Sequence, residues 1–274
     1  MKSKYLLSGI FPLIGIIVLI SFSNSTFAQI GGLSGSKLGA LCVDVVDHHK
    51  IEFEPAFYTS VSKQRWDNDD HLEDIYSSSD SVIHNTGMAF RFTYGLWDKM
   101  EIGASISTDL QLSSFGLRYI IFANEKNGLA AIAGANIPFG NKTIDNSIRL
   151  QENIASVGGG AVFSSQFTEN LSLDLNAQYM FFLQNTYEQN KGSYFLNADL
   201  GYYIFDHQLQ FITALAYQST SFESFDSHVL TLNPGVTIET GNNYIIVLSA
   251  PFDIAGKNSN KNAGFLMALT LTFD

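Results

Sequence analysis

The chain has 274 residues, with 15 Lys and Arg against 26 Asp and Glu, and its formal charge of −11 excludes a nucleic-acid surface of the usual basic kind. Charged residues reach only 15%, against about 25% in ordinary globular domains, while aromatics reach 13%, with 22 Phe and 12 Tyr. That balance argues against a soluble enzyme and for a wall that faces lipid and carries aromatic girdles.

The first element is a leader. Lys2 and Lys4 form a short positive region, Tyr5 to Phe22 an apolar core, and Ser25-Thr26-Phe27-Ala28 a small-residue cleavage site. Residues 1–28 are therefore expected to be a signal peptide, leaving Gln29 first. Gly9, Pro12 and Gly15 interrupt the core and no basic stop-transfer cluster follows, which argues against an uncleaved anchor. The lone Cys42 stands too far on, behind bulky Leu41, for lipoprotein processing, and one cysteine allows no intrachain disulfide. After Ala28 no run of about eighteen apolar residues remains for a helical span. Residues 29–48 form a Gly/Ser-rich lead-in ending Val43-Asp44-Val45-Val46-Asp47-His48. The lead-in either hangs in the periplasm or folds into a lumen as a plug, and the sequence leaves both open.

From residue 49 onward, apolar and polar residues alternate with period two in runs separated by turn chemistry. The expected strands are 49–61, 83–95, 100–111, 113–123, 129–139, 152–167, 171–185, 193–205, 209–222, 228–240, 243–255 and 262–273. Their connections alternate between very short ones, such as Trp97-Asp98-Lys99 and Thr168-Glu169-Asn170, and longer polar ones at 62–82, 140–151, 186–192, 223–227 and 256–261. In the last strand Phe265, Met267, Leu269, Leu271 and Phe273 share one face, while Gly264, Ala268, Thr270 and Thr272 share the other. The expected fold is all-β: one antiparallel transmembrane β-barrel of about twelve strands over residues 49–274, in a Gram-negative-type outer membrane. Short turns belong in the periplasm and longer loops outside. A soluble secreted sandwich would have to account for so many outward Phe, Leu and Ile.

Strand parity then assigns an interior. Glu52 and Glu54, Arg91, Glu101 and Asp109, and Arg118 fall on the inward side of four successive strands, acid and base alternating. An ionisable residue at membrane depth is costly unless paired or wetted, so these side chains either form a salt-bridge lattice or select a solute. The opposite wall is milder, with Asp174, Asn176, Gln178, Asn197, Asp199, Gln210, Gln218, Thr231, Asn233 and Glu239 inward. Met180, Phe182, Ile212 and Leu266 join them, making a mixed lumen suited to an amphipathic or aromatic solute.

Other constellations are weak. Asp67, Asp69, Asp70, Glu73, Asp74 and Asp80 crowd the first long loop without the glycine and terminal glutamate of a calcium loop. Adjacent His48 and His49 would face opposite ways on a strand and so not share a metal. His84, Asn85 and Thr86 imitate a rim hydrolase poorly, because Thr replaces Ser and Asn85 has the wrong parity. Gly158-Gly159-Gly160 lies within a strand run and lacks the Lys-Ser/Thr of a phosphate loop. No metal, cofactor or catalytic group is expected.

Lys50-Ile51-Glu52-Phe53-Glu54-Pro55-Ala56-Phe57-Tyr58 resembles the first strand of an outer-membrane barrel family named for the MetA pathway of phenol degradation. Asn136-Ile137-Pro138-Phe139-Gly140 is similar to that family's strand-ending Pro-Thr-Gly, with Phe139 in place of Thr, and the terminal strand fits as well. Asp274 after the terminal Phe departs from the aromatic ending that assembly machinery reads. The resemblance implies a barrel of this size with a role in uptake of aromatic or hydrophobic compounds, and no catalytic residues. The expected function is a passive outer-membrane channel or transporter for small solutes. Its partners would be outer-membrane lipid, the solute, and the barrel-assembly machinery through the C-terminal strand. The alternative is a closed structural barrel, filled by its own side chains, whose outer loops bind a surface partner.

Overall fold

The structure is a computed structural model that describes residues 29–35, 38–77, 81–108, 112–138, 155–183, 192–205, 208–221, 226–240 and 243–274. The expected signal peptide, Asp109 and most of the long loops lie outside those residues. The described strands are β1 (Ile51–Trp66), β2 (Leu72–Asp74), β3 (Ile83–Trp97), β4 (Met100–Ser107), β5 (Leu112–Ala123), β6 (Asn127–Pro138) and β7 (Ser156–Gln166). They continue with β8 (Leu171–Phe182), β9 (Gly192–Ile204), β10 (Leu209–Ser221), β11 (Asp226–Glu239), β12 (Tyr244–Ser249), β13 (Phe252–Lys257) and β14 (Ser259–Phe273). All named pairings are antiparallel, and β14 returns to β1 with Ile51 opposite Phe273 and Trp66 opposite Ser259. That pairing closes the sheet, and closure removes the exposed strand edges that a bilayer does not tolerate.

Twelve strands build the wall. The three-residue β2 pairs with the far end of β1 beyond the ring, and β12 and β13 are two halves of one strand. The break falls at Ala250-Pro251, at the height of Pro234 on the facing strand, where Ala250 donates to the Pro234 carbonyl at 3.0 Å. Neither proline has an N–H for the ladder, so a continuous strand over 243–255 cannot form. A second expectation fails at 256–261, where the chain turns tightly at Asn258 (φ 47°) between β13 and β14 rather than looping out. β1 also runs on to Trp66 instead of ending near Val61, because Gln64, Arg65 and Trp66 gain partners in β2.

The two faces of the wall differ as a membrane requires. Phe92, Phe115, Ile121, Leu200, Phe211 and Phe265 point outward and are exposed. Phe53 stacks on Phe92 across the strand pair with ring centroids 4.7 Å apart. On the inner face the polar residues are buried, among them Thr93, Asn136, Gln178, Gln210 and Thr237. A sheet buried on its polar side needs something inside to bury it.

Candidate functional site

The interior is occupied by the chain's own lead-in. Its described residues, 29–35 and 38–48, enter at the short-turn mouth, where His48 bridges Gly95 and His49 N donates to the Gly95 carbonyl. The segment then rises among the inner faces of β3 to β9 and doubles back, with Cys42 N donating to Gly35 O at 3.0 Å. The Gly/Ser-rich composition suits this path. Gly35 takes φ +64°, and wall glycines leave the space the lead-in backbone fills. A Cβ at Gly103 would overlap the Gly32 carbonyl, and one at Gly116 would come within 2.5 Å of the Gly31 carbonyl oxygen.

Wall side chains hold the lead-in along its length. Asp199 of β9, 0% exposed, accepts three successive backbone N–H groups, from Leu38 (2.9 Å), Gly39 (3.0 Å) and Ala40 (3.0 Å). Glu101 of β4, also 0% exposed, accepts from Ser34 N and Oγ at 2.9 and 2.5 Å, and from Val46 N at 2.9 Å. Gln178 receives Ile30 N and Asn176 receives Leu41 N, at 2.9 and 3.2 Å. Val43 N donates to Ser164 Oγ at 2.9 Å, and that hydroxyl donates onward to Asp174 at 2.5 Å. Backbone groups away from water need such partners, and an irregular segment cannot supply them to itself.

The two buried arginines serve wall and lead-in together. Arg118 pairs with Glu101 across β4 and β5 at 2.7 Å and donates to the carbonyl of Cys42 and to Ser34 Oγ, each at 2.6 Å. Arg91 binds Glu52 and Glu54 of the neighbouring β1 at 2.5 and 2.8 Å and donates to the Leu33 carbonyl. Glu54 also accepts from Thr270 at 2.5 Å, tying the seam where β14 meets β1. Between these polar anchors Ile30, Leu33, Leu41 and Val43 pack with Ile120, Ile132, Val162, Met180 and Phe195 into one apolar cluster. The lead-in thus supplies both the hydrogen-bond complement and the apolar filling of this part of the lumen.

Of the residues singled out from the sequence, Glu52, Glu54, Arg91, Glu101, Arg118, Asp174 and Asp199 lie together inside the barrel, and Asp109 lies outside the described residues. What parity missed is their shared occupant, along with Ser164 and Gln29, which also take part; Thr93, inward by parity, donates to the Gly32 carbonyl. A usable signal was present. The inward carboxylates outnumber the inward arginines, and surplus buried acceptors need donors from elsewhere, here backbone N–H groups.

The His48 and His49 rings stack with centroids 3.8 Å apart instead of facing opposite ways, because His49 has φ 68° and is not extended. Asn85 is buried on the inner side while His84 is exposed, and the Thr86 hydroxyl pairs with Thr59 at 3.1 Å, so no hydrolytic geometry forms. Asp67, Asp69 and His71 bring ligand atoms within 4.8 Å of one another at the long-loop rim. Asp67 is already engaged, since the backbone N–H groups of His71 and Asp69 hold its carboxyl below the usual aspartate range. Gly158-Gly159-Gly160 pairs without a register shift on both sides, and close packing against β8 excludes a side chain at Gly158.

A closed twelve-strand barrel with a carboxylate-pinned N-terminal segment can be set against known proteins. Residues 96–269, well over half of the chain, match the model of the family described as putative MetA-pathway of phenol degradation. The chain belongs to this family. No curated protein matches it. Among solved structures, an outer membrane channel from Pseudomonas putida F1 aligns with a TM-score of 0.67 at 15% identity, covering 84% of this chain and 98% of that one. The KdgM porin, solved in complex with disordered oligogalacturonate, aligns with a TM-score of 0.51 at 8% identity, covering 81% of this chain and 99% of that one. The family member described here therefore has the fold of outer-membrane channels.

Proposed function

We propose that this family member is an outer-membrane channel for passive uptake of small solutes, aromatic or hydrophobic compounds among them, with residues 29–48 as its plug. The observation that carries this reading is the separateness of wall and filling. Every wall strand has its neighbours without the lead-in, so the ring needs no such segment to close. A segment held by wall side chains and apolar packing, outside the strand ladders, can leave a ring that remains closed by its own ladders. Flow would follow a gradient, with lipid around the wall and β14 presented to the assembly machinery.

The apolar cluster favours one other reading, a permanently closed barrel whose outer loops bind a partner. Liposome swelling with the purified protein lacking residues 29–48 separates the two. A channel admits small solutes once the lead-in is gone. A folded barrel, shown by heat-shifted gel mobility, that stays impermeable after the deletion refutes the channel reading and leaves the closed one.

A further inference from the structure

Beyond the lead-in, toward the long-loop mouth, the lumen holds a cavity of about 250 Å³. Its floor is the lead-in itself, at Gln29, Leu38 and Gly39, and its walls come from β9, β10, β11, β13, β14 and β1. Pockets for drug-sized ligands run from about 300 Å³ upward, so this one fits a single small ring rather than an oligomer.

The polar groups on its walls are unevenly satisfied. Asp253 is buried, and its carboxylate accepts from Thr231 Oγ1 at 2.6 Å and from the Asn262 N and Nδ2, both at 2.8 Å. A carboxylate offers about four acceptor positions, so three donors fix its orientation and leave room for one more. Asn233 also lines the cavity. It is only 9% exposed, and its side-chain oxygen has no hydrogen-bond partner among the described residues. An amide oxygen accepts hydrogen bonds, so this one offers a ligand hydroxyl a place to donate. Phe195 of β9 and Leu266 of β14 add apolar surface to the same lining.

We propose that this cavity is a binding subsite for an uncharged ring compound carrying at least two hydroxyl groups. Asn233 and Asp253 take the hydroxyls, and Phe195 and Leu266 take the apolar part of the ring. The acceptor pair disfavours anions, which would face the Asp253 carboxylate, and disfavours bare hydrocarbons, which would leave Asn233 unsatisfied. Because the floor is the lead-in, a solute here rests on the segment that fills the lumen below. The inference deepens the channel reading and rests on it.

Titration calorimetry of the purified full-length barrel tests it with four probes: glucose and catechol as hydroxylated rings, toluene as a bare ring, and benzoate as a ring anion. Saturable binding of glucose, catechol or both is expected, the arm that responds naming the ring type, with no binding of toluene or benzoate. Asn233→Leu is expected to weaken that binding at least ten-fold, with Asn233→Ala as the second variant should the first fail to fold. The proposal is overturned if neither hydroxylated ring binds the folded barrel. Equal binding of toluene or benzoate, or unchanged affinity in the Asn233 variants, overturns it too. Swelling of liposomes holding the lead-in-deleted protein keeps the two readings apart. Permeation with no binding overturns the subsite alone, whereas binding with no permeation supports the subsite and sinks the channel.

Discussion

Asp199 holds three successive backbone N–H groups of the lead-in, and removing it has a calculable consequence. In Asp199→Ala the N–H groups of Leu38, Gly39 and Ala40 lose an acceptor now 2.9 to 3.0 Å away. Hydrogen bonds to a charged group contribute about 1.5–3 kcal/mol each, but Leu38 and Gly39 border a cavity from which water can replace part of the loss. Removing the buried carboxylate also relieves its own desolvation. Taking about 1 kcal/mol per lost bond, docking of the lead-in weakens by about 3 kcal/mol. With a tenfold change for each 1.4 kcal/mol, the docked-to-undocked ratio falls about 100-fold. Hydrogen exchange at residues 38–40, followed by mass spectrometry in detergent, reads this directly. Exchange there is expected to accelerate by about that factor while the strands β9 and β10 stay protected. Unchanged exchange at 38–40 in a folded Asp199→Ala barrel would show that the three bonds do not hold the lead-in in place.

Three further outcomes follow from the same geometry. Gly103→Ala places a methyl group on the Gly32 carbonyl, so the lead-in shifts or leaves; limited proteolysis is expected to cut within residues 29–48 in this variant and not in the unmodified protein. Arg118→Gln leaves Glu101 buried without its cation, a loss of about 3–5 kcal/mol, and the temperature at which the barrel unfolds on gels is expected to drop accordingly, whereas Arg65→Gln at an exposed pair is expected to change little. The turn at Asp67 is acid-sensitive: with the carboxyl held below its usual range, the stabilisation is present above the unfolded value and lost as pH falls through the lower folded one, so NMR chemical shifts of the Asp69 and His71 amides should titrate only below the ordinary aspartate midpoint. A midpoint at or above that value contradicts the assignment.

The wall was legible in the sequence for a plain physical reason. A lipid-facing strand must show one apolar side, so Phe265 to Phe273 declares itself by period alone, and the same period places Glu101, Arg118 and Asp199 inward. Periodicity carries no information on what fills the ring. The described residues of the lead-in form no helix or strand, and their fit depends on partners 135 residues away, as between Leu41 and Asn176, or 160 away, as between Gly39 and Asp199. The tight turn at Asn258 was hidden because a polar, Asn-rich stretch is equally suited to a turn or a loop. The interruption at Ala250-Pro251 was within reach, since a proline inside an expected central strand is itself a warning.

If residues 29–48 fill the lumen and open it by leaving, tethering them keeps the pore shut. A Cβ at residue 39 would stand 3.8 Å from the Ala214 Cβ, the separation a disulfide needs. Gly39→Cys with Ala214→Cys, in a Cys42→Ser background, therefore locks the lead-in to β10 under oxidising conditions. Single-channel recording of that protein in a planar bilayer, before and after reduction, is expected to show silence while oxidised and openings once reduced. Identical records in both states, with the disulfide verified by mass spectrometry, would mean that the lead-in does not gate the pore.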